Sequence, residues 1–342
     1  MIDRYKALAL QLACHTVNRC LDREESMKLI RDNVQYVKNS IRASKAFIGN
    51  ALKLIVLPEY ILTGFPMGES MDSWKEKAAI HLNDPTIGEL RSFCVQNGIY
   101  LGLNFYEIED HFPQFYFQTC VIINDEGVIC LVYRRLNSMY TITPHDILTQ
   151  YVQVYGEESI FPVANTPIGN LACIASEEIL YPEIGRSFMV RGAEIFIHSS
   201  SEVGSPIPTQ KDIAKQARSI ENMAYVISAN TGKLTGTAFP DGSADGGSRI
   251  IDPEGRIISL AGSGDSMVAN AWIDLAHLRY LRAQPGMANY ISRQRFELYR
   301  STYERTFYPK DNALDFSSGR LHFNEIQRST IEALKKRKVI HE

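Results

Sequence analysis

Apolar positions recur along this chain with two periods. Between Leu21 and Ile48, the residues Met27, Leu29, Ile30, Val34, Val37 and Ile41 are spaced by three and four, which predicts an amphipathic helix. Thr86–Gln96 predicts a second helix. Short apolar runs at Tyr5–Ala13, at Leu54–Leu57 (ended by Pro58) and at Tyr100–Asn104 predict strands. Phe115–Ile123 and Val128–Tyr133 flank Asn124-Asp-Glu-Gly127, a hairpin turn signal. The Gly-rich run Asp241–Ser248 lacks the Gly-Lys-Ser/Thr ending of a phosphate loop and reads as a loop before a strand at Arg249–Asp252. Strands alternating with helices imply helices packed on sheets, an α/β fold.

Composition narrows the function classes. Of 342 residues, 45% are hydrophobic and 22% charged, as in soluble globular proteins. A net charge of −3 with mixed signs leaves no basic stripe, so no nucleic-acid partner is expected. No apolar run reaches the length of about 18 residues that spans a membrane. The start Met1-Ile-Asp-Arg-Tyr-Lys6 has no apolar signal core, which predicts a cytoplasmic protein. Cysteines at 14, 20, 94, 120, 130 and 173 show no paired spacing and read as buried free thiols. No His and Cys cluster suggests a metal, and no cofactor is expected. Beyond Pro285 the chain turns rich in Arg, Tyr and Phe. Residues 1–282 therefore read as one domain and 283–342 as a C-terminal extension.

Candidate chemistry lies in five segments. They are Leu54-Ile-Val-Leu-Pro-Glu59-Tyr-Ile-Leu-Thr-Gly64; the hairpin leading to Tyr133-Arg-Arg135; Ile168–Arg186, which contains Ser176-Glu-Glu178 and Tyr181-Pro-Glu183; Ala217–Asn230; and Gly247–Gly255. In this order they resemble the nitrilase superfamily, the carbon–nitrogen hydrolases, and most closely its aliphatic amidase branch. The resemblance covers roughly residues 5 to 282. It implies a four-layer α-β-β-α sandwich, a homodimer or larger homo-oligomer pairing through Pro182–Arg191 and Thr209–Tyr225, and C–N bond hydrolysis by a cysteine, a glutamate and a lysine.

Three positions depart from that pattern. Glu59 stands at the general base, but Ser176 replaces the nucleophilic cysteine and Arg135 replaces the lysine. No glutamate occurs between Arg135 and Tyr155, where many relatives carry a second one; His145 lies in that stretch. The candidate catalytic residues are thus Glu59, Arg135 and Ser176, and the candidate substrate-binding residues are Glu178, at the family's acidic position, and His145. Strand alternation lets only one of Arg134 and Arg135 face the pocket, and Arg135 is the better match. Cys173, three residues before Ser176 on a strand, faces the other way. Neither His145 nor His198 sits in a triad motif. A serine is harder to deprotonate than a thiol of pKa about 8.5. The departures predict a diverged site with little or no amide hydrolysis that still binds a small amide or carboxylate or does altered chemistry. The alternatives are an active hydrolase of aliphatic or carbamoyl amides captured as a Cys-to-Ser variant, and a serine-dependent amidohydrolase.

Overall fold

The computed structural model describes residues 2–313 and 323–341. In chain order its strands are β1 (Arg4–Ala9), β2 (Ala13–His15), β3 (Leu52–Val56), β4 (Tyr100–Glu107), β5 (Phe117–Ile123), β6 (Ile129–Arg134) and β7 (Ala164–Thr166). Then follow β8 (Gly169–Ala175), β9 (Ile195–Ser200), β10 (Tyr225–Asn230), β11 (Lys233–Thr235), β12 (Arg249–Ile251), β13 (Ile257–Leu260) and β14 (Asn270–Asp274). The helices are α1 (Arg23–Ile48), α2 (Met71–Ala78), α3 (Pro85–Asn97), α4 (Leu148–Tyr155) and α5 (Pro182–Val190). After them come α6 (Gln210–Asn222), α7 (Leu275–Ala283), α8 (Arg300–Tyr303) and α9 (Phe323–Lys336).

Two six-stranded sheets carry the fold, ordered β14-β1-β3-β4-β5-β6 and β13-β12-β10-β9-β8-β7. Each has three parallel strands at its centre, β1, β3 and β4 in one and β8, β9 and β10 in the other, with antiparallel strands outside them. Parallel neighbours need crossovers, and helices supply them: α3 between β3 and β4, α5 between β8 and β9, α6 between β9 and β10.

Strand alternation sorts the side chains into layers. Tyr5, Ala7 and Ala9 of β1, Leu54 and Val56 of β3, and Cys120 and Ile122 of β5 share a core with the second sheet. The intervening Leu8, Ile55, Val121 and Ile123 pack instead with Ile30, Val34, Val37 and Ile41 of α1 and Phe93 of α3. Ile184 and Phe188 of α5 and Ala214 of α6 join the second sheet's core. The result is the four-layer α-β-β-α sandwich expected above. The sheets approach closely at Gly102, where a Cβ would come within 2.9 Å of Ile197 Cγ2.

Local signals set the element ends. Asp22 caps α1 by accepting from Glu25 N (2.9 Å), and Gly49 with φ 95° ends it. The strand expected over Tyr5–Ala13 stops at Ala9. Beyond it the Gln11 amide is drawn to the carbonyls of Gly262 and Gly264 (2.6 Å each), and Ala13 begins the separate strand β2. All six cysteines are free and all but the half-buried Cys130 are buried. Past α7, Tyr303 Oη donates to Glu183 Oε1 of α5 (3.0 Å), and Thr149 N and Oγ1 donate to the Asp311 carboxylate (2.7 Å each). Residues 314–322 and 342 of the expected extension lie outside the described residues. No helix among the described residues is long and apolar enough to cross a membrane.

Candidate active site

Two backbone bends bring the site together where β3 and β8 end. After β3, Leu57-Pro58 leads to Glu59, whose N–H donates to Ser200 O of β9 (3.2 Å). Tyr60 then turns through φ 56°. After β8, Ser176 takes φ 45°, a left-handed conformation that costs a non-glycine residue free energy and recurs at functional sites. His198 of β9 supports this elbow: its Nε2–H donates to Ser176 O (2.9 Å) and its Nδ1 accepts from Ser228 Oγ (2.8 Å). A carbonyl can only accept, so this contact sets the tautomer. Burial, with the charge of Lys215, pushes the His198 imidazole down to about 3, so it is neutral at pH 7. It holds the backbone of Ser176, and both its nitrogens are engaged.

Glu59 is buried. Desolvation raises its pKa, while Arg135, Lys211 and hydrogen bonds from Ser176 and Tyr60 pull the other way without cancelling that rise. Arg135, also buried, spans the floor of the cleft. Its Nε donates to Asn137 O (2.5 Å), Nη1 to Gln118 Oε1 (2.9 Å), and Nη2 to Glu177 Oε1 (2.5 Å). Glu59 Oε1 and Tyr60 Oη each lie 3.4 Å from Nη1. Burial opposes this charge, but Tyr60, Glu59, Glu177 and Glu178 outweigh it, so the guanidinium pKa rises and no proton can leave it. Arg134 points the other way, into a fork with Glu107 (Nε–Oε2 2.8 Å, Nη2–Oε1 2.7 Å).

Around Glu59, Arg135 and Ser176 opens a cavity of about 450 Å³, walled by Tyr60, Phe65, Met67, Tyr106, Tyr140 and Phe239 and edged by Glu177 and Lys211. The structure thus brings the three candidate catalytic residues together. It does not bring Glu178 or His145 to them. Glu178 is fully buried, and its carboxylate accepts from Tyr133 Oη (2.7 Å), Leu136 N (2.7 Å), Asn137 N (3.0 Å) and Ala175 N (3.2 Å). With every lone pair directed at a protein donor it ties the elbow to the segment after β6 and has none left for a substrate. His145 instead lines a separate cavity of about 730 Å³ with residues of α9, its ring 5.9 Å from that of Tyr308. Cys173 lies in the inter-sheet core, where burial pushes its thiol pKa well up, so it cannot supply the missing thiolate. Among the described residues no group of three or more His, Cys, Asp or Glu side chains is gathered to hold a metal.

Residues 13–283 match the carbon-nitrogen hydrolase family. The chain belongs to this family. It is 28% identical over 260 residues to the deaminated glutathione amidase of Dictyostelium discoideum, covering 73% of this chain and 85% of that one. It is 26% identical over 272 residues to the 2-oxoglutaramate amidase of Bacillus subtilis, covering 73% and 91%. A carbon–nitrogen hydrolase from Helicobacter pylori has a similar crystal structure, with a TM-score of 0.67 at 16% identity over 89% of this chain and 99% of that one.

Among the cleft residues of this family member, sequence reasoning missed Lys211 as well as the roles of Tyr60, Gln118 and Glu177. Lys211 Nζ lies 3.3 Å from Ser176 Oγ. In sequence it is one polar residue in the first turn of α6, behind the Thr209 cap, with no motif to mark it. Packing of α6 against the turn at Ser176–Leu180 carries it to the nucleophile position.

Proposed function

We propose that this member of the carbon–nitrogen hydrolase family binds a small amide or carboxylate in the Glu59–Ser176 cleft and hydrolyses amides little or not at all. One observation carries the reading. Ser176 Oγ has an ammonium (Lys211) and a carboxylate (Glu59) as partners, while the nearby imidazole is turned to the backbone carbonyl. Attack on an amide requires the hydroxyl proton to leave in step with bond formation. Glu59 accepts that hydrogen bond but is a weak base for an alcohol, even with its pKa raised by burial. Arg135 can stabilise charge but cannot shuttle a proton.

The test is amide hydrolysis by the wild type, Ser176→Ala and Ser176→Cys, followed by ammonia release from small aliphatic amides. We expect the wild type to release ammonia no faster than Ser176→Ala. In Ser176→Cys the new thiol should be labelled by electrophiles yet support little turnover, because Arg135 stays in place; adding Arg135→Lys should raise it. Substantial recovery in Ser176→Cys alone would instead mark a captured cysteine hydrolase. Fast ammonia release by the wild type, lost in Ser176→Ala, would establish serine-dependent hydrolysis and overturn the proposal.

A further inference from the structure

Among the described residues two cations line the cleft, and they are engaged to different extents. Arg135 directs Nε, Nη1 and Nη2 to Asn137 O, Gln118 Oε1 and Glu177 Oε1. Lys211 makes one hydrogen bond among the described residues, to Ser176 Oγ (3.3 Å), and no ion pair. An ammonium has three N–H donors, so two are left without an acceptor among the described residues, on a side chain that lines the cavity. Their charge still reaches Glu59 through the cleft.

The acceptors nearest Ser176, by contrast, are already engaged, and Glu177, at the partly exposed edge of the cleft, keeps one carboxylate oxygen without a partner among the described residues. Glu59 receives hydrogen bonds from Ser176 and Tyr60 and faces Arg135. Gln118 Oε1 receives Arg135, Tyr60 Oη receives the Gln118 amide, and Glu177 Oε1 receives Arg135. This asymmetry discriminates between ligands. A primary amide brings one acceptor and an NH₂ group that needs acceptors; a carboxylate brings acceptors only. A polar group left without a partner on leaving water is penalised, and in this cleft the NH₂ group is more exposed to that penalty than the carboxylate. The walls, formed by Phe65, Met67, Tyr106 and Phe239, suit a short aliphatic chain.

We propose that Lys211 and the Ser176 elbow form an anion subsite that takes the carboxylate of a small aliphatic acid in preference to the matching amide. This rests on the reading that the cleft binds small molecules with little turnover, and it names their class. Lys211, placed by α6, then supplies at the nucleophile position the positive charge that Arg135 directs elsewhere.

The experiment compares propionate with propionamide, which differ little in shape. Each is titrated calorimetrically into the full-length chain at one pH and ionic strength, using the wild type, Lys211→Met and Lys211→Arg. We expect the wild type to bind propionate at least about tenfold more tightly than propionamide, as one charge-assisted hydrogen bond allows. Lys211→Met should lose about tenfold or more in propionate affinity while its affinity for propionamide changes less than about twofold. Lys211→Arg should keep most of the preference. Lys211 is only partly buried, and matching thermal melts of the three proteins check that they fold alike. Propionate affinity unchanged in Lys211→Met, propionamide binding as tightly as propionate, or no detectable propionate binding would each overturn the assignment. Failure of the underlying reading looks different: it is rapid ammonia release from propionamide, and the propionate comparison can still be made in Ser176→Ala, which keeps Lys211.

Discussion

Burial at Glu59 works against ionisation, and the groups around it work for it. Desolvation is the larger effect, so the folded-state pKa lies above the ordinary glutamate value, even with Arg135, Lys211, Ser176 and Tyr60 favouring the anion. The sign of the consequence follows from linkage. Between the unfolded glutamate pKa and the raised folded value, the native state binds more protons than the unfolded one, so stability falls as pH rises through that window. Glu178, raised by its own burial, adds to the same trend. Buried His198, held neutral, contributes the opposite trend, so the test is the difference: denaturant unfolding of the wild type and of Glu59→Gln from about pH 4 to pH 8 should diverge, the wild type losing stability relative to the variant as pH rises. Parallel profiles for the two proteins would show that Glu59 ionises without a burial penalty.

The element that matters most is the elbow after β8. It is held on three sides: by the left-handed Ser176, by His198 beneath its carbonyl, and by Glu178 accepting from Ala175 N behind it and from Leu136 N and Asn137 N across it. Glu178 and Arg135 thus position each other through the segment after β6, although they follow strands of different sheets. In Glu178→Gln an NH₂ group must face one of these donors. The cost should be about 1–3 kcal/mol in unfolding free energy, together with looser binding in the cleft. A variant as stable as the wild type, binding propionate equally well, would remove Glu178 from this supporting role.

Across the whole molecule, apolar groups lie uncovered on the outer layer formed by α5 and α6. Val190 of α5 is 56% exposed and Ile213 of α6 is 63% exposed, and both lie in the segments expected to pair subunits. Tyr299, Tyr303 and Phe307 of the C-terminal extension are exposed as well. We propose that a second copy of the chain covers α5 and α6. Light scattering at micromolar concentration should then give a dimer or larger assembly for the wild type and a smaller species for Ile213→Asp, since burying an unpaired carboxylate at such an interface is costly. A wild type that is monomeric under these conditions would refute the pairing.

The sequence by itself determined which faces of its strands and helices are apolar, and its resemblance to a known family supplied the four layers and pointed to Glu59, Arg135 and Ser176. Continuous apolar runs such as Leu54–Leu57, buried on both faces, and the three-and-four spacing from Met27 to Ile41, buried on one, are local patterns. Glu59, Arg135 and Ser176 were legible because each sits at the end of a strand inside a recognisable motif. Only the tertiary structure decided which neighbours share the cleft. Glu178, two residues from Ser176, is turned away by four donors, and His145 is carried off to another cavity beside the C-terminal residues. Lys211, 35 residues from Ser176 along the chain, is brought back to its hydroxyl. Proximity along the chain fixes a residue's face and register, but hydrogen-bond competition and the packing of distant elements determine which side chains meet a ligand, and neither is written in local spacing.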